Sequence, residues 1–449
     1  MFRLYGLLFG LGALLAAPYY VWRYRKSASL RRSWRERFGY LPESFQQPEK
    51  SGKGSIWIHA VSVGETIAVS TLARELQRRH PDRKIFISHV TPTGRETSEK
   101  RMQGLAGRLY LPLDFKGSVQ RTLGRLRPAL LLIVETELWP NLLRWSHESG
   151  ARVVLVNARL SQQSLQGYRR FRFFMRRVFQ HVDWVFAQTP ADAARFCQIG
   201  ARPDRVVTLG NLKFDVQPPE YTGLSKSWKR AIAATGRGPV LIAASTMSGE
   251  EAKVLAAWNE IHLRLPRAIM ILAPRHPARF DEAAGLLRAA AIRFLRRSEL
   301  PVNEPDLCLR LASCDVVLLD SIGELAGLFA LADLVFMGGS LVPTGGHNVL
   351  EPARFGKPVI FGPYMSNFPD VARLFLDYGA AVQVRDESEL SREAIEMLED
   401  IPRRRAVGEA GRKLIEQGSG ATQRILERIT ELLDEPDVRA KQAAGDKSQ

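Results

Sequence analysis

Short apolar runs alternate with amphipathic stretches along most of the chain, and they fall into two series. In the first, "SIWIHAVSV" (55–63), "KIFISHVT" (84–91), "LLLIVETELW" (130–139), "ARVVLVNARL" (151–160) and "DWVFAQT" (183–189) read as buried strands. Between the first two, "TIAVSTLARELQRRH" has the spacing of an amphipathic helix with Ile67, Leu72 and Leu76 turned inward. Strand runs alternating with helical patterns predict parallel sheet covered by helices on both faces. The rhythm breaks at "GNLKFDVQPPEYTGL", where Pro218, Pro219 and Gly223 interrupt any regular element. It resumes with "PVLIAAST", "AIMILAPRHP", "DVVLLDS", "LVFMGGS" and "PVIFGP". The pattern therefore predicts two doubly wound domains, 55–212 and 236–425, joined by a linker at 213–235 and followed by a polar tail at 426–449. A length of 449 residues agrees with two cores. Ligands of such sheets bind beyond the carboxyl ends of the strands, here in a cleft between the two domains.

The N-terminus departs from this rhythm. Residues 4–22, "LYGLLFGLGALLAAPYYVW", carry no charge, and about 20 apolar residues are what a helix needs to cross a bilayer. Residues 1–23 are thus expected to be a membrane anchor and 24–54 a basic membrane-proximal segment. Arg23, Arg25, Lys26, Arg31, Arg32, Arg35 and Arg37 follow the apolar run against the single acid Glu36, which places the remaining chain on the cytoplasmic side. Overall, 64 Lys and Arg against 47 Asp and Glu give a net charge of +17, pointing to an anionic partner: nucleic acid, a phosphorylated substrate or an acidic membrane. Five arginines interleaved with aromatics in "YRRFRFFMRRVF" (168–179) suit single-stranded nucleic acid or a membrane interface, and the anchor favours the membrane. Cys197, Cys308 and Cys314 form no CxxC pair, which argues against a disulfide framework or a zinc site.

Chemistry-bearing residues gather where strand runs end. In "HAVSVGETIA", Gly64 and Glu65 open a helix, so Glu65 is either a cap facing unpaired N–H groups or a general base held on a rigid turn. Glu135 and Glu137 follow the apolar "LLLIV" at period two, which puts both carboxylates on one side of a strand. One of them is expected to cap the helix that starts near Pro140. In "GGSLVPTGGHNVLEPARFG", the pairs Gly338-Gly339 and Gly345-Gly346, with Ser340 between them, let backbone approach a phosphate; His347, Asn348 and Glu351 follow, Glu351 as an acceptor for ribose hydroxyls. Arg275 and His276 after "AIMIL" are candidates for a donor phosphate or carboxylate, with a solvated loop as the alternative. Ser245 and Thr246 precede a helix whose acids Glu250 and Glu251 read as caps, with nucleotide contact as the other possibility.

Taken in order, "WIHAVSVGET", "TPTGRE", "VETELWPN", "NARLS", "GNLKFD", "PRHPARF" and "GGSLVPTGGHNVLEPA" resemble the 3-deoxy-D-manno-octulosonic acid (Kdo) transferases of lipopolysaccharide synthesis, from the N-terminus to about residue 425. The resemblance implies a GT-B architecture of two Rossmann-like domains, the first facing the acceptor and the second holding the sugar nucleotide. It implies CMP-Kdo as donor substrate, a tetraacylated lipid A precursor as acceptor, an inner-membrane location facing the cytoplasm, and no cofactor or metal. Glu65 is then the catalytic base of an inverting displacement, Gly64, Glu135 and Glu137 meet substrate, and Arg275 with the glycine loop stabilises the departing phosphate. An anionic lipid then accounts for the positive charge without nucleic acid. Another nucleotide-sugar enzyme of the same fold, a different glycosyltransferase or an epimerase, is the alternative. Two positions depart from the family pattern: Met247 stands where a His is frequent, and Val349 where a Pro is common.

Overall fold

The computed structural model describes residues 1–24, 28–45, 53–215, 223–301 and 304–435. Arg25 and Lys26, the Pro218-Pro219 break and the tail from 436 onward lie outside them. The chain forms two units, one of residues 1–216 with 418 onward, the other of 217–417.

The first unit is built on seven parallel strands: β1 Ser55–His59, β2 Ile85–His89, β3 Gly107–Tyr110, β4 Pro128–Val134, β5 Arg152–Ala158, β6 Trp184–Ala187 and β7 Val206–Thr208, in the order β3-β2-β1-β4-β5-β6-β7. Alternate residues of its central strands feed two cores. Ile56, Ile58, Leu130 and Leu132 enter one; Trp57, Leu131 and Ile133 enter the other. Both faces are buried, which explains why these strands read as unbroken apolar runs. The second unit repeats the plan with β8 Val240–Thr246, β9 Ile269–Pro274, β10 Phe294–Arg296, β11 Val316–Leu318, β12 Leu334–Met337, β13 Val359–Phe361 and β14 Ala381–Gln383, in the order β10-β11-β9-β8-β12-β13-β14. The strand order reverses between β1 and β4 in the first sheet and between β8 and β12 in the second. In doubly wound sheets those reversals are where the flanking loops diverge and leave a crevice. The stretches with candidate chemistry, 60–65, 135–137, 245–251 and 338–346, follow these four strands.

Three expectations change. The C-terminal helix Ala421–Asp434 belongs to the first unit, where Ile425, Leu426, Ile429 and Leu432 complete the core under Ile56 and Leu72; it is neither tail nor second-domain helix. In the helix Val63–Arg79 the buried row is Val69, Leu72 and Leu76, while Ile67 stays half-buried. The third concerns the N-terminal helix Phe2–Tyr24. Among the described residues no helix is long and apolar enough to cross a membrane. Instead its first turns lie on the first unit: Phe2 meets Phe174 edge-on at 5.6 Å, Phe9 meets Phe115 at 5.1 Å, and the Tyr5 hydroxyl donates to Asp114 at 2.9 Å.

Candidate active site

The turn after β1 has a specific architecture. Ser62, in extended conformation, caps the helix Val63–Arg79 and accepts from the Glu65 N–H; Glu65 in return takes the Val61 N–H at 2.8 Å and the Ser62 hydroxyl at 2.9 Å. Glu65 therefore is a cap. Its environment is unlike that of an ordinary cap, because burial first, then the Glu135 charge, push its carboxyl from 4.5 up to about 7. Glu137 adds a smaller push, while the bonds from Val61 and Ser62 pull the other way. The cap geometry and a proton affinity suited to a base at neutral pH thus coexist in one side chain. Gly64 is exposed at the second helical position, where an added Cβ would meet only the Ser62 hydroxyl, at 3.9 Å.

Glu135 and Glu137 do meet near Glu65, but not for the reason their spacing suggested. β4 ends at Val134, and Glu135 turns into the left-handed region at φ 58°. Its N–H still pairs with the Val156 carbonyl at 3.0 Å, so the left-handed residue terminates the strand and re-aims the side chain. There the carboxylate faces Lys213, with Nζ 2.9 Å from Oε1, an ion-pair separation without linear hydrogen-bond alignment. Glu137 accepts from the Trp139 indole at 2.9 Å and is pushed up by burial and then by Glu135. Neither acid caps the helix Pro140–Glu148. That task falls to Asp114, which takes the Asn141 and Leu142 N–H groups at 3.0 and 2.7 Å together with the Tyr5 hydroxyl.

In the second unit the glycine-rich loop is partly occupied from within. The Glu250 carboxylate, fully buried, accepts the N–H groups of Met247, Gly339, Ser340 and Leu341 at 3.1, 2.6, 3.0 and 2.8 Å. Burial pushes its pKa up while these four bonds oppose the rise. Of the first glycine motif, then, the Gly339 and Ser340 amides are committed to Glu250. Gly338 serves close packing, since a Cβ there would lie 2.7 Å from the Ser245 carbonyl oxygen. The Ser340 hydroxyl is buried between the Met337 carbonyl and the Gly362 N–H. Thr246 is likewise interior, donating to Glu251 at 3.0 Å, and Glu251 in turn pairs with Arg279 at 2.8 Å. These residues support the loop rather than face a ligand.

The second glycine pair is buried as well, and the Gly346 N–H donates to the Gly339 carbonyl at 2.7 Å. Gly345 and Gly346 are left-handed at φ 98° and 72°, and a Cβ on Gly346 would overlap the Met365 sulfur. Arg275 and His276 are exposed just past β9, and the Arg275 N–H ties back to the Thr246 carbonyl at 3.0 Å. His347 lies within their influence: burial, then Arg275 and His276, hold it neutral, down to about 4. Its Nε2 has no hydrogen-bond partner. Asn348 caps the short helix Leu350–Ala353 through the Leu350 N–H at 3.2 Å and reaches the Glu351 carboxylate at 3.4 Å. Ser245, left-handed at φ 55°, is half-buried at the end of β8. Among the described residues no group of three or more His, Cys, Asp or Glu side chains is arranged to hold a metal ion.

Sequence reasoning missed Lys213, Asp114, Glu250 as the occupant of the loop, and Arg279. Lys213 and Arg279 stand inside recognisable motifs, "GNLKFD" and "PRHPARF", so the signal was present without its partner.

A family model described as 3-deoxy-D-manno-octulosonic-acid transferase (kdotransferase) matches residues 32–216. A 3-deoxy-D-manno-octulosonic acid transferase of Bordetella pertussis is 36% identical over 432 residues, covering 93% of this chain and 97% of the relative. One of Haemophilus influenzae is 33% identical over 417 residues, covering 91% and 93%. Among solved structures, a putative UDP-N-acetylglucosamine 2-epimerase from Listeria monocytogenes aligns with a TM-score of 0.55 at 13% identity, covering 85% of this chain and 97% of that one, a likeness of fold.

Proposed function

The chain belongs to the 3-deoxy-D-manno-octulosonic acid transferase family, and on that premise we propose that it moves Kdo from CMP-Kdo to a tetraacylated lipid A precursor by an inverting displacement with Glu65 as base. The observation that carries this reading is a carboxylate raised to about 7 at the topological switch point of the first sheet. An acceptor hydroxyl attacks the anomeric carbon of Kdo and gives its proton to Glu65. The bond from that carbon to the CMP phosphate breaks, and its electron pair leaves with CMP. An anomeric carbon passing through an oxocarbenium-like state needs no strong nucleophile, so one base suffices. The leaving phosphate is already a weak base. Arg275, exposed just past β9, stabilises its charge in place of a metal. Glu137, together with Glu135, orients the acceptor, and Glu351 receives the nucleotide ribose. No nucleic acid takes part.

The acceptor is a membrane lipid, and the N-terminal helix supplies the contact. Leu4, Leu7, Leu8, Leu11 and Leu15 share one face and are all more than half exposed, while Phe2, Tyr5 and Phe9 on the other face dock on the protein. Beyond Gly10 only residues 11–24 remain, about 21 Å of helix at roughly 1.5 Å per residue, against a hydrocarbon thickness of about 30 Å. We therefore place this helix along the cytoplasmic leaflet of the inner membrane instead of through it. Phe171 and Phe173, exposed beside the Phe174 that touches Phe2 and Tyr5, extend the same face among arginines suited to an anionic surface.

Mass spectrometry of lipid A precursor incubated with CMP-Kdo and detergent-purified enzyme tests the reading. Wild type should add Kdo and Glu65→Ala should add none. Equal addition by both reduces Glu65 to a cap, and no addition by either removes this acceptor.

A further inference from the structure

The turn Leu212–Asp215 carries a lysine that neither a cap nor a surface role explains. The Lys213 ammonium is 2.9 Å from Glu135, and both side chains are only 19% exposed. Its position is imposed by backbone bonds that do not involve the ammonium. The Leu212 N–H donates to Asn157 Oδ1 and the Lys213 N–H to Asn211 Oδ1, each at 2.9 Å. Asn157, left-handed at φ 52° and fully buried, ends β5 beside β4. Leu212 and Phe214 bury the residues on either side of Lys213, and Asp215 fastens the turn to the returning chain through the Gly420 N–H at 2.6 Å. The lysine therefore reaches the acids from a turn held at four points, and its partner is a residue already forced into a left-handed conformation.

We propose that Lys213 is a positioning residue for the transfer reaction: by pinning Glu135 it decides that Glu65, among the three clustered carboxylates, is the one that takes up and releases the proton. The proposal rests on Glu65 being the base. Three carboxylates that feel one another cannot all keep a negative charge at low cost in a half-buried site, so one of them is driven to hold a proton. Burial is the largest opposition to ionisation of Glu65, and an ammonium that binds Glu135 offsets the larger of the two opposing charges, Glu137 being the smaller. Glu137 accepts from the Trp139 indole, and its charge presses on the Tyr168 phenol. On the neighbouring elements His89 is bonded to the Ala60 carbonyl and Ser98, and Arg95 is paired with Glu36 at 2.9 Å. Lys213 is thus a cation paired directly with this cluster, and its loss makes Glu65 harder to ionise.

The test is the pH profile of kcat/KM for the full-length enzyme. With Lys213→Met the acid limb should move up by about one pH unit, the scale of losing a cation within a few ångströms. Lys213→Arg, which keeps the charge, should hold the limb where wild type has it. Glu135→Gln should move the limb down, and in that background Lys213→Met should move it little. A uniform drop in rate with both the limb and the Glu65 carboxyl midpoint unmoved in Lys213→Met overturns the proposal, because that is what a purely structural lysine does. Should Lys213→Met fail to fold, an unmoved limb in Glu135→Gln overturns it equally. Carbon-13 titration of the Glu65 carboxyl, assigned by its disappearance in Glu65→Gln, separates the two layers. A Glu65 midpoint that moves in Lys213→Met without the rate profile following upholds Lys213 and removes Glu65 as base; a midpoint that stays still overturns the role of Lys213.

Discussion

Glu65→Gln should make the protein more stable at neutral and alkaline pH while removing its proposed base. Folding raises this carboxyl from 4.5 to about 7, chiefly by burial and the Glu135 charge. Between those pH values the folded chain holds a proton that the unfolded chain has lost, so stability falls as pH rises through the interval and the deficit persists above it. At about 1.36 kcal/mol per pH unit, the full deficit above pH 7 is about 3 kcal/mol. Glutamine has no proton to lose and escapes it. The substitution fits the turn: the amide carbonyl accepts the Val61 N–H and the amide NH2 faces the Ser62 hydroxyl, which are the two present partners. The deficit is already net of the favourable place of a charge at a helix N-terminus. The expected gain is therefore about 3 kcal/mol at pH 8, vanishing near pH 4.5, where wild-type Glu65 is protonated in the folded state and titrating in the unfolded one. Urea unfolding of both proteins at pH 4.5, 6 and 8, followed by circular dichroism, measures it. A variant less stable than wild type at pH 8, or a difference of equal size at all three pH values, refutes the account of Glu65.

Further outcomes follow from the buried carboxylates and the exposed helix. Glu250→Gln turns an acceptor of two N–H groups into a donor facing them, so it should cost about 3 kcal/mol in denaturant unfolding at one to three per orphaned group, and a loss below about 1 kcal/mol contradicts the occupied-loop geometry. Arg279→Met strands the fully buried Glu251 carboxylate and should cost about 3–5 kcal/mol, largely recovered when Glu251→Gln is added. Leu8→Asp with Leu11→Asp should release the protein from anionic liposomes in a flotation assay without changing its unfolding midpoint, because both side chains are more than half exposed.

The two-unit α/β plan was legible because its evidence is local. A strand buried on both faces must be apolar at every position, as "LLLIV" and "AIMIL" are, and a helix over a sheet must repeat its apolar residues with the helical period. Glu65 was legible as a cap for the same reason, since an acid in the first helical turn faces the unpaired N–H groups beside it. The anchor reading turns on a point that composition does not carry. An uncharged stretch shows what a helix tolerates around it, whereas Tyr5 bonding to Asp114 across 109 residues shows where it lies.

The sequence by itself determined the kinds of element, their order, the family, and the stretches where chemistry collects, because each depends on residues close together along the chain. Tertiary structure decided what those stretches do. Glu250 fills the Gly339 amide from 89 residues away, so half of a loop that looks ready for a phosphate is already occupied. Glu135 leaves its strand through a left-handed turn to meet Lys213, a pairing set by where β5 delivers Asn157 and thereby the 212–215 turn. A carboxylate's proton affinity follows from burial and from the charges folded around it. Those are properties of position in space, so the raised proton affinity of the Glu65 cap could be read only from the fold.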